Sequence, residues 1–162
     1  MLTLQALSDR AEIQDLIALY AHAIDSQDWD ALDAVFTPDA TIDYTEVGGP
    51  RGSYPEIKQY LARALPPFAP YQHLSATSRI HIDGDRAQAK TILFNPMTLQ
   101  HEGQTRMFFV GLWYCDTLAR TPQGWRIAYR HEMRSWDFNA PRGMLPATTH
   151  TAAQKSHPTV AS

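Results

Sequence analysis

The chain has 162 residues, of which 44% are hydrophobic and 19% charged, a balance typical of one soluble globular domain. Its net charge of −3 and its lack of a basic cluster argue against nucleic acid or an anionic membrane as a partner. No apolar stretch is long enough to span a bilayer, and the N-terminus lacks the basic and apolar regions of a secretory signal. A single cysteine, Cys115, excludes an internal disulfide and indicates a reducing, cytoplasmic compartment. We expect Cys115 to be a buried, unreactive thiol in a strand.

The first half of the chain is predicted to be mainly helical. A first helix is expected from about Ser8, its N-cap, to Ser26, because apolar residues recur there at spacings of three and four. Its buried face comprises Ile13, Leu16, Ile17, Tyr20, Ala21 and Ile24. A short second helix over 29–36 and a strand over 40–44 follow. A third helix over 54–65 ends at a pair of prolines.

The second half is predicted to consist of long antiparallel strands. Residues 73–83 and 86–95 form one hairpin across an Asp-Gly-Asp turn, and residues 105–120 and 124–138 form another. Helices followed by a run of strands predict an α+β domain over 1–138, with the helices on one face of a curved sheet. Residues 139–162 lack periodicity, and we expect a tail that is flexible or packed on a neighbouring subunit.

Asp25 and His73 are the pair most suggestive of chemistry. Asp25 ends the first helix, where the helix dipole disfavours negative charge by up to roughly 1 kcal/mol, so a hydrogen-bond donor beside it would be stabilising. Imidazole is a good general base near neutral pH, and a carboxylate that accepts its Nδ1–H fixes the tautomer. From the residues alone, a solvated Asp25 and a structural His73 stay as the alternative.

Further polar candidates accompany this pair. Tyr20 and Tyr44 could donate phenol hydrogens to a substrate oxygen, or be core residues bonded at the tip. Arg134 could hold an oxyanion, although strict alternation along its strand puts it on the face opposite Trp125 unless a bulge intervenes. On that alternation His131 is a rival for an interior role. No metal-binding spacing and no phosphate-binding glycine loop is present, which leaves cofactor-free chemistry or binding.

The segment 11–44, which contains Ile24-Asp25-Ser-Gln-Asp28-Trp29, resembles the start of the SnoaL-like branch of the NTF2-like superfamily. The similarity continues through Tyr71-Gln72-His73 and Gly124-Trp125-Arg126-Ile127, and covers about residues 5–138. It implies a cone-shaped α+β barrel, in which a curved mixed or antiparallel sheet and the N-terminal helices enclose a deep pocket. Members of this branch often form trimers or dimers, so a homo-oligomer is expected.

Three enzyme families of the branch are informative. Scytalone dehydratase and hexachlorocyclohexane dehydrochlorinase use an Asp–His pair that Asp25 and His73 match. The second histidine and the asparagine of scytalone dehydratase are replaced by Met97 and Val110, which argues against scytalone as the substrate. Bile-acid 7α-dehydratase is the most similar in its polar residues, and its catalytic set would fall on Tyr20, Asp25, Tyr44, His73 and Arg134.

The resemblance implies a cofactor-independent lyase, a dehydratase that removes water from a hydrophobic ring-bearing substrate such as a steroid, an aryl compound or a polyketide. His73 would take the proton, and the tyrosines and Arg134 would stabilise an enolate or help the hydroxyl leave. The substrate-binding wall is expected to include Phe94, Met97, Phe108, Val110, Leu112, His131 and Trp136. Carbon–carbon lyase chemistry of a deformylase or retro-aldol type, isomerisation, and a non-catalytic small-molecule binding module stay open.

Overall fold

The computed structural model describes residues 2–101 and 103–147. The elements in this part of the chain are α1 (Leu4–Asp25), β1 (Phe36–Asp43), β2 (Arg51–Ser53), α2 (Tyr54–Ala64), β3 (Leu74–Asp83), β4 (Arg86–His101), β5 (Gln104–Thr121) and β6 (Gly124–Phe138). The strands form a six-stranded sheet in the order β2-β1-β6-β5-β4-β3. β1 runs parallel to β6, and the other neighbours are antiparallel. The sheet is therefore mixed and open at both edges.

Helix α1 supplies the first wall of the core. Its N-cap lies five residues before the predicted one, because the Thr3 side chain, not Ser8, accepts from the backbone N–H of Ala6 at 3.1 Å. Its end at Asp25 agrees with the prediction. The predicted buried face is confirmed, since Ile13, Leu16, Ile17, Tyr20, Ala21 and Ile24 are all buried. This face lies against the inner side of the sheet.

The second predicted helix is shorter than expected. Asp30–Ala34 forms a 3-10 turn, and β1 already begins at Phe36. The Asp28 carboxylate accepts from the backbone N–H of Ala31 at 3.1 Å, which starts the turn, but too few residues follow for a full α-helix. The third predicted helix is confirmed as α2, which begins with a reciprocal capping box between Ser53 and Glu56.

Both predicted hairpins are confirmed, and their strands are longer than expected. β4 continues to His101 rather than stopping at Asn95, and pairs with β5 along its whole length. The β5–β6 pair contains two register shifts, each a one-residue bulge in β6, at Ala128 and at Ser135. A bulge bends a strand and reverses which residues face inward, so these two positions decide what the sheet presents to the core.

In the described part of the chain, no helix combines the length and the apolarity needed to cross a membrane.

Candidate active site

A cavity of about 110 Å³ lies between the two helices and the inner face of β4, β5 and β6. Its wall is mainly apolar. The polar side chains on it come from Tyr20, Tyr44, Tyr60, His73, Asn95 and Glu132. A concave, mostly apolar site with a few convergent polar groups is typical of small-molecule binding. This cavity is therefore the candidate active site.

Asp25 and His73 meet at one end of the cavity. Asp25 Oδ1 lies 2.7 Å from His73 Nδ1, and the two carboxylate oxygens accept from the His73 backbone N–H at 3.1 and 3.0 Å. The His73 side chain is only 7% exposed. Because an ionised carboxylate can only accept, Nδ1 carries the proton and Nε2 keeps a free lone pair. This is the geometry that a general base requires.

The surroundings of His73 fix the orientation of its ring. The rings of Tyr20 and Tyr71 stand edge-on to the imidazole, with centroids 6.5 and 5.8 Å away. Tyr71 donates its hydroxyl hydrogen to the carbonyl oxygen of Ile24 at 3.1 Å, which ties this loop to the end of α1. The Asn95 amide on β4 donates to His73 Nε2 at 3.4 Å. The unprotonated Nε2 thus lies on the cavity side, where it accepts this long hydrogen bond from a residue that the sequence analysis did not single out.

Tyr20 and Tyr44 form a phenol pair on the cavity wall. Their hydroxyl oxygens are 2.8 Å apart, and both side chains are buried. Burial raises the pKa of Tyr20 to about 12 and also raises the pKa of Tyr44. Both groups therefore stay protonated. One hydrogen is used between them, and the other is available for the oxygen of a ligand.

A buried ion pair that the sequence analysis missed lies behind these phenols. Arg130 donates from Nε and from one terminal nitrogen to the two Asp116 oxygens at 2.8 and 2.7 Å, and both side chains are 0% exposed. The guanidinium carbon lies 4.0 Å from the ring centroids of Tyr20 and Tyr114. Burial opposes the charge on Arg130, but the Asp116 carboxylate outweighs it and holds the pKa of Arg130 well above its usual value. The only sequence signal was one aspartate in an apolar strand, which needs a buried partner.

Glu132 is a second missed residue, and it lines the cavity. The residue is 8% exposed. Burial raises the pKa of its carboxyl to about 8, with the Arg130 charge opposing this and the Asp116 charge adding to it. The cavity therefore contains a carboxylic acid that is predominantly neutral at pH 7.

The bulge at Ala128 explains why both residues were missed. The register of β5 and β6 leaves Ala128 without a partner, which reverses the alternation from that point. Arg130 and Glu132 consequently point inward and are buried, whereas His131 faces outward. His131 Nε2 lies 2.9 Å from Glu46 Oε1 on the outer side. The expectation that His131 lines the pocket is therefore wrong.

Arg134 lies on the inner side of β6 but not on the cavity wall. Arg134 pairs with Leu112, which lines the cavity. The bulge at Ala128 therefore places Arg134 on the inner face, as was expected only if a bulge intervened. Its guanidinium donates to the carbonyl oxygen of Pro146 and lies 3.6 Å from Asp137 Oδ1. The charge is thus directed at the C-terminal segment, and the cation nearest to the phenols is Arg130 instead.

The predicted apolar wall is found in part. Met97, Val110 and Leu112 line the cavity. Phe108 lies on the same face of β5 as Val110 and is fully buried, but its ring packs edge-on against Phe68 with centroids 6.1 Å apart, and Phe68 rather than Phe108 reaches the cavity. The expectation for Phe108 was therefore right about the face and wrong about contact with the cavity.

Phe94 and Trp136 were expected on the wall and lie on the outer face. Phe94 is one position out of step with Leu93 and Asn95, which both line the cavity. Trp136 follows the bulge at Ser135 and packs against Phe94, with centroids 5.8 Å apart. Trp136 is 45% exposed. Both aromatic rings therefore belong to the outer surface of the sheet.

Residues 140–147 of the predicted tail pack on the domain itself. Met144 and Leu145 line the cavity, opposite the strands. The backbone of Met144 approaches the loop after β1 so closely that a Cβ at Gly48, which has a φ of +83°, would overlap the Met144 carbonyl oxygen. The rest of the predicted tail, 148–162, lies outside the described residues.

Cys115 is half-buried on the outer face of β5, rather than fully buried as predicted. Burial raises the pKa of its thiol. The thiolate is therefore disfavoured, which agrees with an unreactive cysteine.

The fold and this site can now be compared with known proteins. Residues 5–131 match the model of the SnoaL-like domain, so the chain belongs to the SnoaL-like family. An uncharacterized protein of Mycobacterium tuberculosis is 47% identical over 134 residues, which cover 83% of this chain and 90% of that protein. The NTF2-like α+β cone predicted from the resemblance is confirmed.

Two solved structures connect the fold with lyases. A hexachlorocyclohexane dehydrochlorinase (LinA, Type2) superposes with a TM-score of 0.74 at 20% identity, over 91% of this chain and 98% of that chain. A candidate scytalone dehydratase from Novosphingobium aromaticivorans superposes with a TM-score of 0.73 at 14% identity, over 83% of this chain and 89% of that chain. At these identities the two structures establish a shared fold.

Proposed function

We propose that the protein is a cofactor-independent lyase that eliminates water from a hydrophobic ring-bearing substrate. The observation that carries the proposal is the 2.7 Å contact between Asp25 Oδ1 and His73 Nδ1 at the wall of a mainly apolar cavity. A carboxylate that accepts from Nδ1 stabilises the imidazolium that forms when Nε2 takes a proton. Elimination is also the chemistry of the two enzyme families whose fold the chain shares.

In this proposal His73 is the general base and Asp25 is the residue that orients it. Nε2 removes a proton from a substrate carbon, and a hydroxyl group departs from a neighbouring carbon. The free phenol hydrogen of the Tyr20–Tyr44 pair donates to a substrate oxygen. Arg130, fixed beside Tyr20, is a positioning residue whose positive charge favours electron density on that phenol oxygen.

The size of the cavity favours a small ring over a steroid. A cavity of roughly 150 Å³ can hold benzene, and drug-sized ligands occupy about 300–1,000 Å³. The 110 Å³ found here is smaller than the first of these volumes, so it admits at most a single small ring while Met144 and Leu145 stay in place. A multi-ring substrate would have to displace this segment.

The proposal is tested by incubating the protein with hydroxylated single-ring, aryl and steroid compounds and following mass changes. Wild-type protein should cause loss of water, and His73→Ala should reduce the rate about 10²–10⁴-fold, the usual contribution of a general base. Asp25→Asn should also reduce the rate, because this substitution removes the charge that stabilises the imidazolium. His81→Ala, at an exposed strand position, is the matched control and should leave the rate unchanged.

Two results would overturn the proposal. Loss of a formaldehyde-sized fragment instead of water would indicate carbon–carbon lyase chemistry on the same pair. Binding of ring compounds with no turnover above background, in wild type and in His73→Ala alike, would indicate a binding module.

We also propose that the chain forms a homo-oligomer through the outer face of its sheet. Trp136 and Phe138 are 45% and 63% exposed there. The ring of Phe109 stacks on Phe138 and on Phe94, which continues the apolar patch. Exposed apolar patches of this kind are typical of protein interfaces. Sedimentation equilibrium should give a dimer or trimer for the wild type and a smaller species for Trp136→Glu. A monomeric wild type would exclude the oligomer.

A further inference from the structure

The Glu132 carboxyl is an ionisable group of the cavity that the mechanism above does not use. It stands on β6 and lines the same cavity as His73. In the sheet, His73 is beside Asn95 of β4, which pairs with Val110 of β5, whereas Glu132 pairs with Tyr114 of β5, so two strand intervals and four residues along β5 separate Asn95 from Glu132. At about 4.8 Å per strand interval and about 3.3 Å per residue along the strand, side chains that reach inward from both positions leave room for a small ring between them.

The residues that face Glu132 come from every element around it. They are Tyr20 of α1, Tyr44 after β1, Tyr60 of α2, Tyr114 and Asp116 of β5, and Arg130 of β6. The single cation among them already has both Asp116 oxygens as partners. No side-chain hydrogen bond to the Glu132 carboxyl exists within residues 2–101 and 103–147. A buried carboxylic acid without a partner is unusual, since such groups are normally hydrogen-bonded.

Burial and the neighbouring Asp116 keep this acid protonated at pH 7, against the opposing Arg130 charge. A protonated carboxyl donates one hydrogen bond, which a carbonyl or enolate oxygen can accept. An ionised carboxylate could not donate, and would repel an anionic intermediate. The acid is thus suited to a neutral substrate that gains negative charge on oxygen during the reaction.

We propose that Glu132 binds the carbonyl oxygen of the substrate, and that the substrate is a small neutral ring compound with a hydroxyl group β to that carbonyl. This rests on the proposed dehydratase function and assigns its substrate class. Glu132 is then a catalytic residue for the same reaction, and the Tyr20–Tyr44 pair is left to bind the departing hydroxyl.

The reaction balances without any further reactant. His73 Nε2 takes the proton on the carbon α to the carbonyl, and the electron pair of that C–H bond moves into an enolate whose oxygen accepts from Glu132. The enolate collapses, the bond to the β-hydroxyl breaks, and the hydroxide leaves with the proton of the imidazolium as water. The products are the conjugated enone and water, and both residues return to their starting protonation states.

The test uses the full chain and two probes, β-hydroxycyclohexanone for elimination and cyclohexanone for exchange of its α-hydrogens in D₂O. Glu132→Leu should slow both reactions about 10²–10³-fold, as loss of one donor to an oxyanion does. Glu132→Gln keeps an N–H donor of the same shape, and should stay within about tenfold of wild type. The wild-type rate should fall as pH rises through about 8, and this alkaline decline should be absent in Glu132→Gln.

A binding comparison separates the two proposals. Wild type should bind cyclohexanone more tightly than methylenecyclohexane, which has the same shape and no acceptor oxygen, and Glu132→Leu should lose this preference. If His73→Ala abolishes exchange while Glu132→Leu changes neither exchange nor the preference, the dehydratase proposal stands and the Glu132 proposal is wrong. If the preference depends on Glu132 but the wild type exchanges no hydrogen, the recognition of the carbonyl stands and the general-base function is wrong. Loss of the alkaline decline in Glu12→Gln, an exposed control, would also contradict the assignment.

Discussion

At the scale of single residues, the interior contains carboxyl groups in contrasting environments. Asp116 is buried and neutralised by two hydrogen bonds from Arg130. Asp25 is a quarter exposed at a helix end and binds His73. Glu132 is 8% exposed and has no side-chain hydrogen bond within the residues that the structure describes, so protonation is how it avoids a buried charge. The same residue chemistry therefore gives a structural ion, an orienting group and a neutral acid.

The neutral state of Glu132 predicts how stability depends on pH. Burial raises its pKa from 4.5 to about 8, so the folded state keeps a proton that the unfolded state releases. Its contribution is fully present below the unfolded value and is lost as pH rises through about 8. Glu132→Gln should therefore be more stable than wild type near pH 9, with a difference that shrinks toward about pH 5. Urea unfolding across this range measures it, and a difference independent of pH would contradict the assignment.

The contact between Asp25 and His73 could be predicted from sequence, and the groups on the opposite strands could not. Asp25 and His73 are 48 positions apart, and only the family resemblance indicated that they meet. Arg130 and Glu132 lie in a strand whose sequence predicts regular alternation of inward and outward residues, and nothing in that sequence indicates the bulge at Ala128. Bulges depend on how two strands pair, which a single strand does not reveal.

At the scale of elements, the α1 face followed directly from its spacing, because every residue of a helix obeys one period. The short 3-10 turn at Asp30–Ala34 could not be predicted in this way, since the same residues are compatible with a longer α-helix, and it is the start of β1 at Phe36 that ends it. The long strands were recognised, but their faces depend on the bulges. Element type was thus easier to predict than the direction of side chains.

The second bulge makes a glycine necessary in the facing strand. A Cβ at Gly111 would overlap the Trp136 ring that packs across β5 after the bulge. Gly111→Ala should therefore lower the free energy of unfolding by about 1–3 kcal/mol, the usual cost of overpacking. Thermal unfolding measures this change. In a Trp136→Ala background the same substitution should cost much less, and an equal cost in both backgrounds would exclude this explanation.

At the scale of the whole molecule, a polar cluster joins the first helix to the last hairpin. The Asp9 carboxylate accepts from two nitrogens of Arg120 at 2.7 Å each and from Trp125 Nε1 at 3.1 Å. Arg120 and Trp125 each lie more than 110 positions from Asp9, so the cluster connects the first helix with the last hairpin. The hydrogen bonds from Arg120 hold the pKa of Asp9 well below its usual value, although burial opposes this.

This cluster predicts an acid-dependent loss of stability. Because the pKa of Asp9 is lowered in the folded state, its contribution is present above about pH 4 and is lost as pH falls further. Asp9→Asn should cost about 2 kcal/mol at neutral pH, and the gap to wild type should narrow near pH 3. Urea unfolding at both values measures it. Asp85→Asn removes an exposed partner of the same Arg120 and should have little effect at either pH.

The bulge at Ala128 has a consequence for how relatives of this chain are compared. If β6 paired with β5 without this bulge and Ala128 took a place in the ladder, strict alternation would return and the inner and outer sets of β6 would exchange, so that a phenol and an imidazole replaced the guanidinium and the acid in the interior. The way β5 and β6 pair at this point therefore specifies the groups that face the cavity as strongly as residue identity does. A relative that lacks this one residue and pairs without a bulge would keep the same groups inside, and an alignment that misplaces the gap would assign equivalence to residues on opposite faces.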